Sequence, residues 1–251
     1  MTDEFNEMLT TLKDNLDKTT PNPDMNFVIS VDLCGSTKFK KDNPETWYPR
    51  INCFLNIVTR VFDFSNESES IGLSFLKFMG DELFYTINVG NNDVPHEVAR
   101  KIILTYEYLY TAFKSLNDEK LPIFGGDVEF KMVFDFGEIY PIIPVADIKT
   151  DIVGETMDRM ARIAKYAVPN FIIFSGQAAK LLIDNKTGVI PTLIKTLSPN
   201  EAKGIDENID IYTYKGLDDE FKRKLNKKFY HESQMTREFY LRFTPESESW
   251  K

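Results

Sequence analysis

The sequence predicts an α+β domain whose antiparallel-rich sheet carries helices on one face. An apolar run, Phe27-Val28-Ile29-Ser30-Val31, has the composition of a buried strand and ends in Asp32. Two alternating segments, 71–79 and 82–89, meet at Gly80-Asp81, a pair suited to a hairpin turn. Amphipathic helical patterns before and after this hairpin complete the order strand, helix, hairpin, helix, strand. That order is the ferredoxin-like split βαβ arrangement.

The elements can be justified in turn. Residues 4–18 set Phe5, Met8, Leu9, Leu12 and Leu16 at helical spacing, a short helix that must end before Pro21 and Pro23. The first strand spans residues 26–34, and a helix from residue 44 places Trp47, Ile51, Phe54, Leu55, Val58 and Phe62 on one face. Alternation in the hairpin puts Lys77 on the side of Phe75 and Met79. A helix at 95–117, a strand at 127–135, a short strand at 138–143 and a helix at 155–166 follow. A strand at 170–174 leads into a helix opened by Ser175 as N-cap, and strands at 191–197 and 208–215 complete the core. Charge-rich residues 217–230 read as a surface helix, and Phe239, Tyr240, Leu241 and Phe243 as a last strand or docking segment. The chain thus divides into an N-terminal extension (1–25), a core domain (26–216) and a C-terminal extension (217–251).

With 251 residues and 42% hydrophobic content, one sizeable core is expected and no second domain is demanded. A net charge of −9 leaves no basic stripe for a phosphate backbone, which excludes nucleic acid as a partner but permits a small anion held by a few placed cations. No apolar run reaches membrane-spanning length, and Met1-Thr2-Asp3-Glu4 opens no basic and apolar leader, so a cytoplasmic protein without a membrane partner is expected. Cys34 and Cys53 are too few for a disulfide framework and lack partners at metal-ligand spacing; both are expected to be small, buried and reduced.

A carboxylate at the end of a buried strand is unfavourable unless something pairs with it, and paired carboxylates are what a divalent cation on a triphosphate requires. Singly, Asp32 reads as a loop cap and Asp81 as a turn residue. Together, and in this order, they carry a resemblance. Residues 26–215 resemble the catalytic domain of class III adenylate and guanylate cyclases. Asp32-Leu33-Cys34-Gly35-Ser36-Thr37 is similar to that family's first metal motif, Gly80-Asp81 to its second, and Phe136-Gly137-Glu138 to the step after the fourth strand. Residues 151–162, Asp151-Ile152-Val153-Gly154-Glu155-Thr156-Met157-Asp158-Arg159-Met160-Ala161-Arg162, look like the segment bearing base-recognition and transition-state residues, and Lys203-Gly204 like the triphosphate-contacting region.

The resemblance implies a nucleotidyl cyclase that converts a nucleoside triphosphate to a 3′,5′-cyclic monophosphate and pyrophosphate. It implies two divalent ions per site, Mn²⁺ or Mg²⁺, held by Asp32, the Leu33 carbonyl and Asp81. Gly35, Ser36 and Thr37 would lie along the substrate, Lys77 and Asp151 would read the base, and Lys203 would meet the triphosphate. Arg162 would hold charge developing at the α-phosphate, which a permanently protonated planar fork does well, with Asp158 beside it. A head-to-tail homodimer is also implied, one protomer giving the metal aspartates and its partner the base and arginine residues.

Lys77 and Asp151 coincide with the pair that reads adenine in many members, which favours ATP. Asp158 replaces the family's usual asparagine, turning a neutral donor into an acceptor-only anion. The nearly bare catalytic domain resembles the stand-alone pyrimidine cyclases of bacterial anti-phage signalling, which make cyclic UMP or cyclic CMP. The sequence reading therefore favours a pyrimidine cyclase, with an adenylate cyclase as the alternative and a catalytically silent nucleotide-binding domain as a third. Gly125-Gly126-Asp127-Val128-Glu129-Phe130 is close to a diguanylate cyclase signature. Its place at the hairpin turn is held by Gly80-Asp81, and Val128 displaces the glutamate, so this segment reads as a loop entering a strand.

Overall fold

The apolar run before Asp32 becomes β1 (Asp24–Leu33), a strand inside the sheet whose Phe27, Val28, Ile29 and Val31 are fully buried. The computed structural model describes residues 5–7, 10–11, 23–90, 94–142, 151–185, 187–202 and 204–217. On one side β1 pairs antiparallel with β3 (Glu82–Asn88), which pairs with β2 (Ser74–Met79). On the other side it pairs antiparallel with β4 (Phe130–Ile142), whose end carries the short β5 (Asp151–Val153). Beyond β4 come β6 (Phe171–Ser175), parallel to it, then β8 (Ile209–Leu217) and β7 (Val189–Leu197), giving the order β2-β3-β1-β4-β6-β8-β7.

Strand alternation gives the two faces different covers. Phe27, Ile29, Val31 and Leu33 pack under α2 (Trp47–Glu69), α3 (Pro95–Asp118) and α5 (Gly176–Asp184). Ile51, Phe54, Val58 and Phe62 of α2 are buried there, as their spacing predicts. Each such side chain contributes roughly 1.5–3 kcal/mol on full burial. On the opposite face Val28, Val133 and Ile173 pack with Met160 and Ile163 of α4 (Glu155–Ile163). The long helices thus share one face, while the short α4 lies on the other.

Several local expectations change. The loop expected after β1 contains α1 (Ser36–Asp42), entered through Gly35 at φ 69°, and seven residues are too few to show a helical repeat. The strands expected at 127–135 and 138–143 are one strand, β4. Gly137 is not a break but a close approach, because a Cβ there would lie 2.5 Å from Thr156 Oγ1 and 3.2 Å from Arg159 Nη2. A bulge between Phe75 and Lys77 shifts the β2 register. Phe75 therefore meets Tyr85, ring centroids 5.5 Å apart, while Lys77 sits opposite Phe84, so the two do not share a side as strict alternation required.

Other expectations hold. Ser175 caps α5, its side chain accepting from Ala178 N at 3.2 Å. Gly125 and Gly126 form a loop ahead of β4, held by the Arg50 guanidinium, which donates to the carbonyls of Phe124, Gly126 and Asp127. Cys34 and Cys53 are free thiols as expected but only partly buried rather than buried, and the burial they have pushes each up to about 11. Residues 5–7 and 10–11 are helical; the rest of the N-terminal helix and the expectations beyond Leu217 lie outside the described residues. Among the described residues, no helix is long and apolar enough to cross a membrane.

Candidate active site

Register places a row of charges on the face that α4 partly covers. Asp32 stands opposite Glu82 of β3 and opposite Lys131 of β4, and residues directly opposite across an antiparallel pair project to the same face. Asp81 enters from the β2–β3 turn, where Gly80 adopts φ 70°. Burial pushes the Asp32 carboxyl above its ordinary range and the charge of Asp81 pushes it further, while Lys131, a Leu33 backbone hydrogen bond and Lys40 pull it back. Glu82 is also pushed up by burial; a hydrogen bond with Ser30 opposes this, and Asp32 and Asp81 add to it. Asp32 and Asp81, far apart in sequence, are thus within each other's electric field.

Asp81 is unevenly satisfied. One oxygen lies 3.3 Å from Lys40 Nζ, and the other is buried without a hydrogen-bond partner. A buried carboxylate oxygen with nothing donating to it is unfavourable, and a hard cation relieves it. The donors here are oxygens, the set that suits Mg²⁺ or Mn²⁺, so the residues fit the expected ions. Among the described residues no group of three or more His, Cys, Asp or Glu is arranged to hold a metal, so this pair needs further oxygens from phosphate or water. Leu33 is buried, Gly35 makes the left-handed turn into α1, Ser36 is buried at its start and Thr37 is exposed.

The structure also brings Lys77 and Asp151 together. Lys77 Nζ donates to both Asp151 oxygens, at 2.6 and 2.7 Å, and the Ile152 amide donates to Oδ1 at 2.8 Å. The lysine hydrogen bond is the largest cause holding the Asp151 carboxyl below its usual range. The Lys77 ammonium lies 5.9 Å from the Phe84 ring centroid, which keeps the pair on the charged face of the sheet.

Asp158 is exposed and Arg162 half-buried, one turn apart on α4. Arg159 orients that helix. Its Nε donates to Asp135 Oδ2 at 2.7 Å, Nη1 to Glu155 at 2.8 Å and Nη2 to the Phe136 carbonyl at 3.2 Å. Fully buried Asp135 also accepts from the Ser175 hydroxyl and from the Phe136 amide at 2.7 Å. Burial pushes the Asp135 carboxyl up, and Arg159, Ser175 and the amide hold it back. Thr156 donates to the Glu138 carbonyl at 2.9 Å, a further tie from α4 to β4. Lys203 lies outside the described residues.

Sequence reasoning missed Lys40, Glu82, Lys131, Asp135 and Arg159. Asp135 had a signal, a carboxylate inside the apolar run Met132-Val133-Phe134-Asp135-Phe136, and Glu82 follows Asp81 directly into a strand. Lys40 had none, because only the fold carries it to the turn.

No protein-family model matches the chain, and no curated protein matches it. Solved structures do match. The adenylyl cyclase CyaB from P. aeruginosa is similar with a TM-score of 0.65 at 16% identity, over 79% of this chain and 97% of that one. The guanylyl cyclase Cya2 gives 0.61 at 19% identity, over 80% and 96%. The guanylate cyclase domain of RhGC from Catenaria anguillulae, solved with GTP, gives 0.61 at 13% identity, over 79% and 100%. The fold is that of class III cyclase catalytic domains. At such identities it is the cyclase fold, and the fold alone, that is shared.

The buried tie between α4 and the sheet makes a prediction. Arg159→Met leaves Asp135 uncompensated in the interior and is expected to lower stability by roughly 3–5 kcal/mol in urea unfolding. Glu155→Gln, on the solvent side of the same guanidinium, is expected to change it by less than about 1 kcal/mol. Equal midpoints for the two variants would contradict the role given to Arg159.

Proposed function

We propose that the chain is a nucleotidyl cyclase, converting a nucleoside triphosphate to a 3′,5′-cyclic monophosphate and pyrophosphate. The observation that carries this reading is the carboxylate pair Asp32 and Asp81, mutually repelling and with one Asp81 oxygen buried and unbonded, on a cyclase fold. Asp32, the Leu33 carbonyl and Asp81 would hold the two divalent ions, which would supply Lewis acidity toward the ribose 3′-hydroxyl and the leaving phosphates. Arg162 donates to the α-phosphate as charge builds there; loss of such a donor raises the barrier by about 3 kcal/mol or more. Asp158, one turn away, is an acceptor beside the ribose and phosphate. Gly35, Ser36 and Thr37 line the approach of the phosphates, and Lys203, outside the described residues, is assigned to the triphosphate by the resemblance alone.

Lys77 and Asp151 offer the base one donor and one acceptor. The resemblance to pyrimidine cyclases favours UTP or CTP as substrate and a cyclic pyrimidine nucleotide, a second messenger of anti-phage defence, as product. The Lys77–Asp151 pair supports ATP as the competing substrate, since adenine matches it through a ring nitrogen and an amine. Two sites shared across a head-to-tail homodimer complete the reading. Phe75 and Phe78 on the edge strand β2, 46% and 53% exposed with ring centroids 4.6 Å apart, support it as an apolar patch for a partner to cover.

Incubation with each of the four triphosphates and Mn²⁺, with products weighed by mass spectrometry, is expected to give pyrophosphate and cyclic UMP or cyclic CMP. Cyclisation of ATP alone would overturn the base assignment and keep the activity. Pyrophosphate without a cyclic product would point to a hydrolase, and no turnover to a binding module. For the shared site, Asp32→Ala and Arg162→Ala, each inactive alone, are expected to regain about one working site per mixed dimer. Mixtures as silent as their components would rule out sites built from two protomers.

A further inference from the structure

Lys40 matches none of the cyclase motifs, yet it crosses from α1 to the β2–β3 turn, 41 positions along the chain, and sets its ammonium 3.3 Å from Asp81 Oδ1. The contact is sheltered: the Asp81 side chain is 13% exposed and that of Lys40 36%. The same ammonium lies 5.7 Å from the centroid of the Trp47 ring, a second attraction that restrains the side chain. A neighbouring lysine behaves differently. Lys38, at 85% exposure, pairs with Asp42 one turn along its own helix, at 2.9 Å.

Three acids feel one another's charge here, since Asp32 and Asp81 both act on Glu82 and Asp81 acts on Asp32. Lys131 is fixed in the β4 ladder opposite Asp32, so its backbone cannot leave. Lys40 is held at the turn only through its side chain, a compact charge on a flexible four-carbon stem. An ammonium and a divalent ion compete for the same carboxylate oxygen, and only the divalent ion carries charge enough to balance both aspartates at once.

We propose that Lys40 is a built-in counter-ion for Asp81, which a divalent cation must displace before the carboxylate pair can hold it, so that Lys40 sets the metal affinity of the site. The proposal rests on the metal-site reading given above. Its consequence is a site that resists filling by metal alone and fills when ions arrive with the charge of a triphosphate.

The test is Mn²⁺ binding to the full chain without nucleotide, read from the electron paramagnetic resonance of the free ion. Lys40→Gln is expected to bind Mn²⁺ roughly threefold to tenfold more tightly than the unaltered protein. Lys38→Gln, with the same change in net charge, is expected to leave the affinity unchanged, which separates displacement from a general loss of positive charge. Asp81→Asn is expected to lose the site. If Asp81→Asn weakens binding but Lys40→Gln is no tighter than Lys38→Gln, the role of Lys40 is overturned and the metal site stands. If Asp81→Asn binds as the unaltered protein does, or if Lys40→Gln also fails to bind, the metal-site reading is overturned and the proposal with it.

Discussion

The like charges of Asp32 and Asp81 repel, and the fold holds them in each other's field nonetheless. Asp32 is fixed by the β1 ladder between Glu82 and Lys131, and Asp81 by the turn from β2 to β3. Asp32 cannot retreat without disturbing buried Val31 and Leu33 on either side of it, and Asp81 is tied by its turn to β3, whose Leu83 is fully buried. Cations supplied by two other elements, α1 and β4, offset the repulsion. Such an arrangement adds nothing to stability that an apolar pair would not exceed, so its sense lies in what it can bind.

The two faces of the sheet divide the work. One packs against α2, α3 and α5 and supplies most of the apolar burial that holds the strands in register. The other carries Asp32, Glu82, Lys77 and Lys131, and is covered in part by α4. α4 is tied down by the Asp135–Arg159 contact as well as by Met160 and Ile163, so Asp158 and Arg162 are presented from a rigid support. Gly137 permits that close docking, which explains a glycine in the middle of a long strand.

Most of the fold was legible because its signals are periodic or chemical. The apolar run of β1, the α2 stripe from Trp47 to Phe62, the Gly80-Asp81 turn and the Ser175 cap each follow from one local rule. What escaped was short or contextual. α1 and β5 are too brief to show a repeat, and the β2 bulge shifts a register that strict alternation cannot foresee. Gly137 read as a break because nothing local says that a helix needs the space. Of the residues expected at a site, Asp32, Asp81, Lys77 and Asp151 were legible as motif residues, and the structure sets Lys77 against Asp151 and Asp32 within the field of Asp81. Lys40, Lys131 and Glu82 were not, since their relation to Asp32 and Asp81 exists only after the strands pair and α1 forms. At 16% identity to CyaB, the fold persists where most side chains do not.

The central claim is that Asp32 and Asp81 share divalent ions beside a triphosphate. Counting Mn²⁺ bound to the purified protein in the presence of a 3′-deoxynucleoside triphosphate, which can bind but cannot cyclise, tests it most directly. The account predicts about two ions per site, with both lost in Asp32→Asn and binding sharply reduced in Asp81→Asn. Undiminished ion counts in both variants would contradict it.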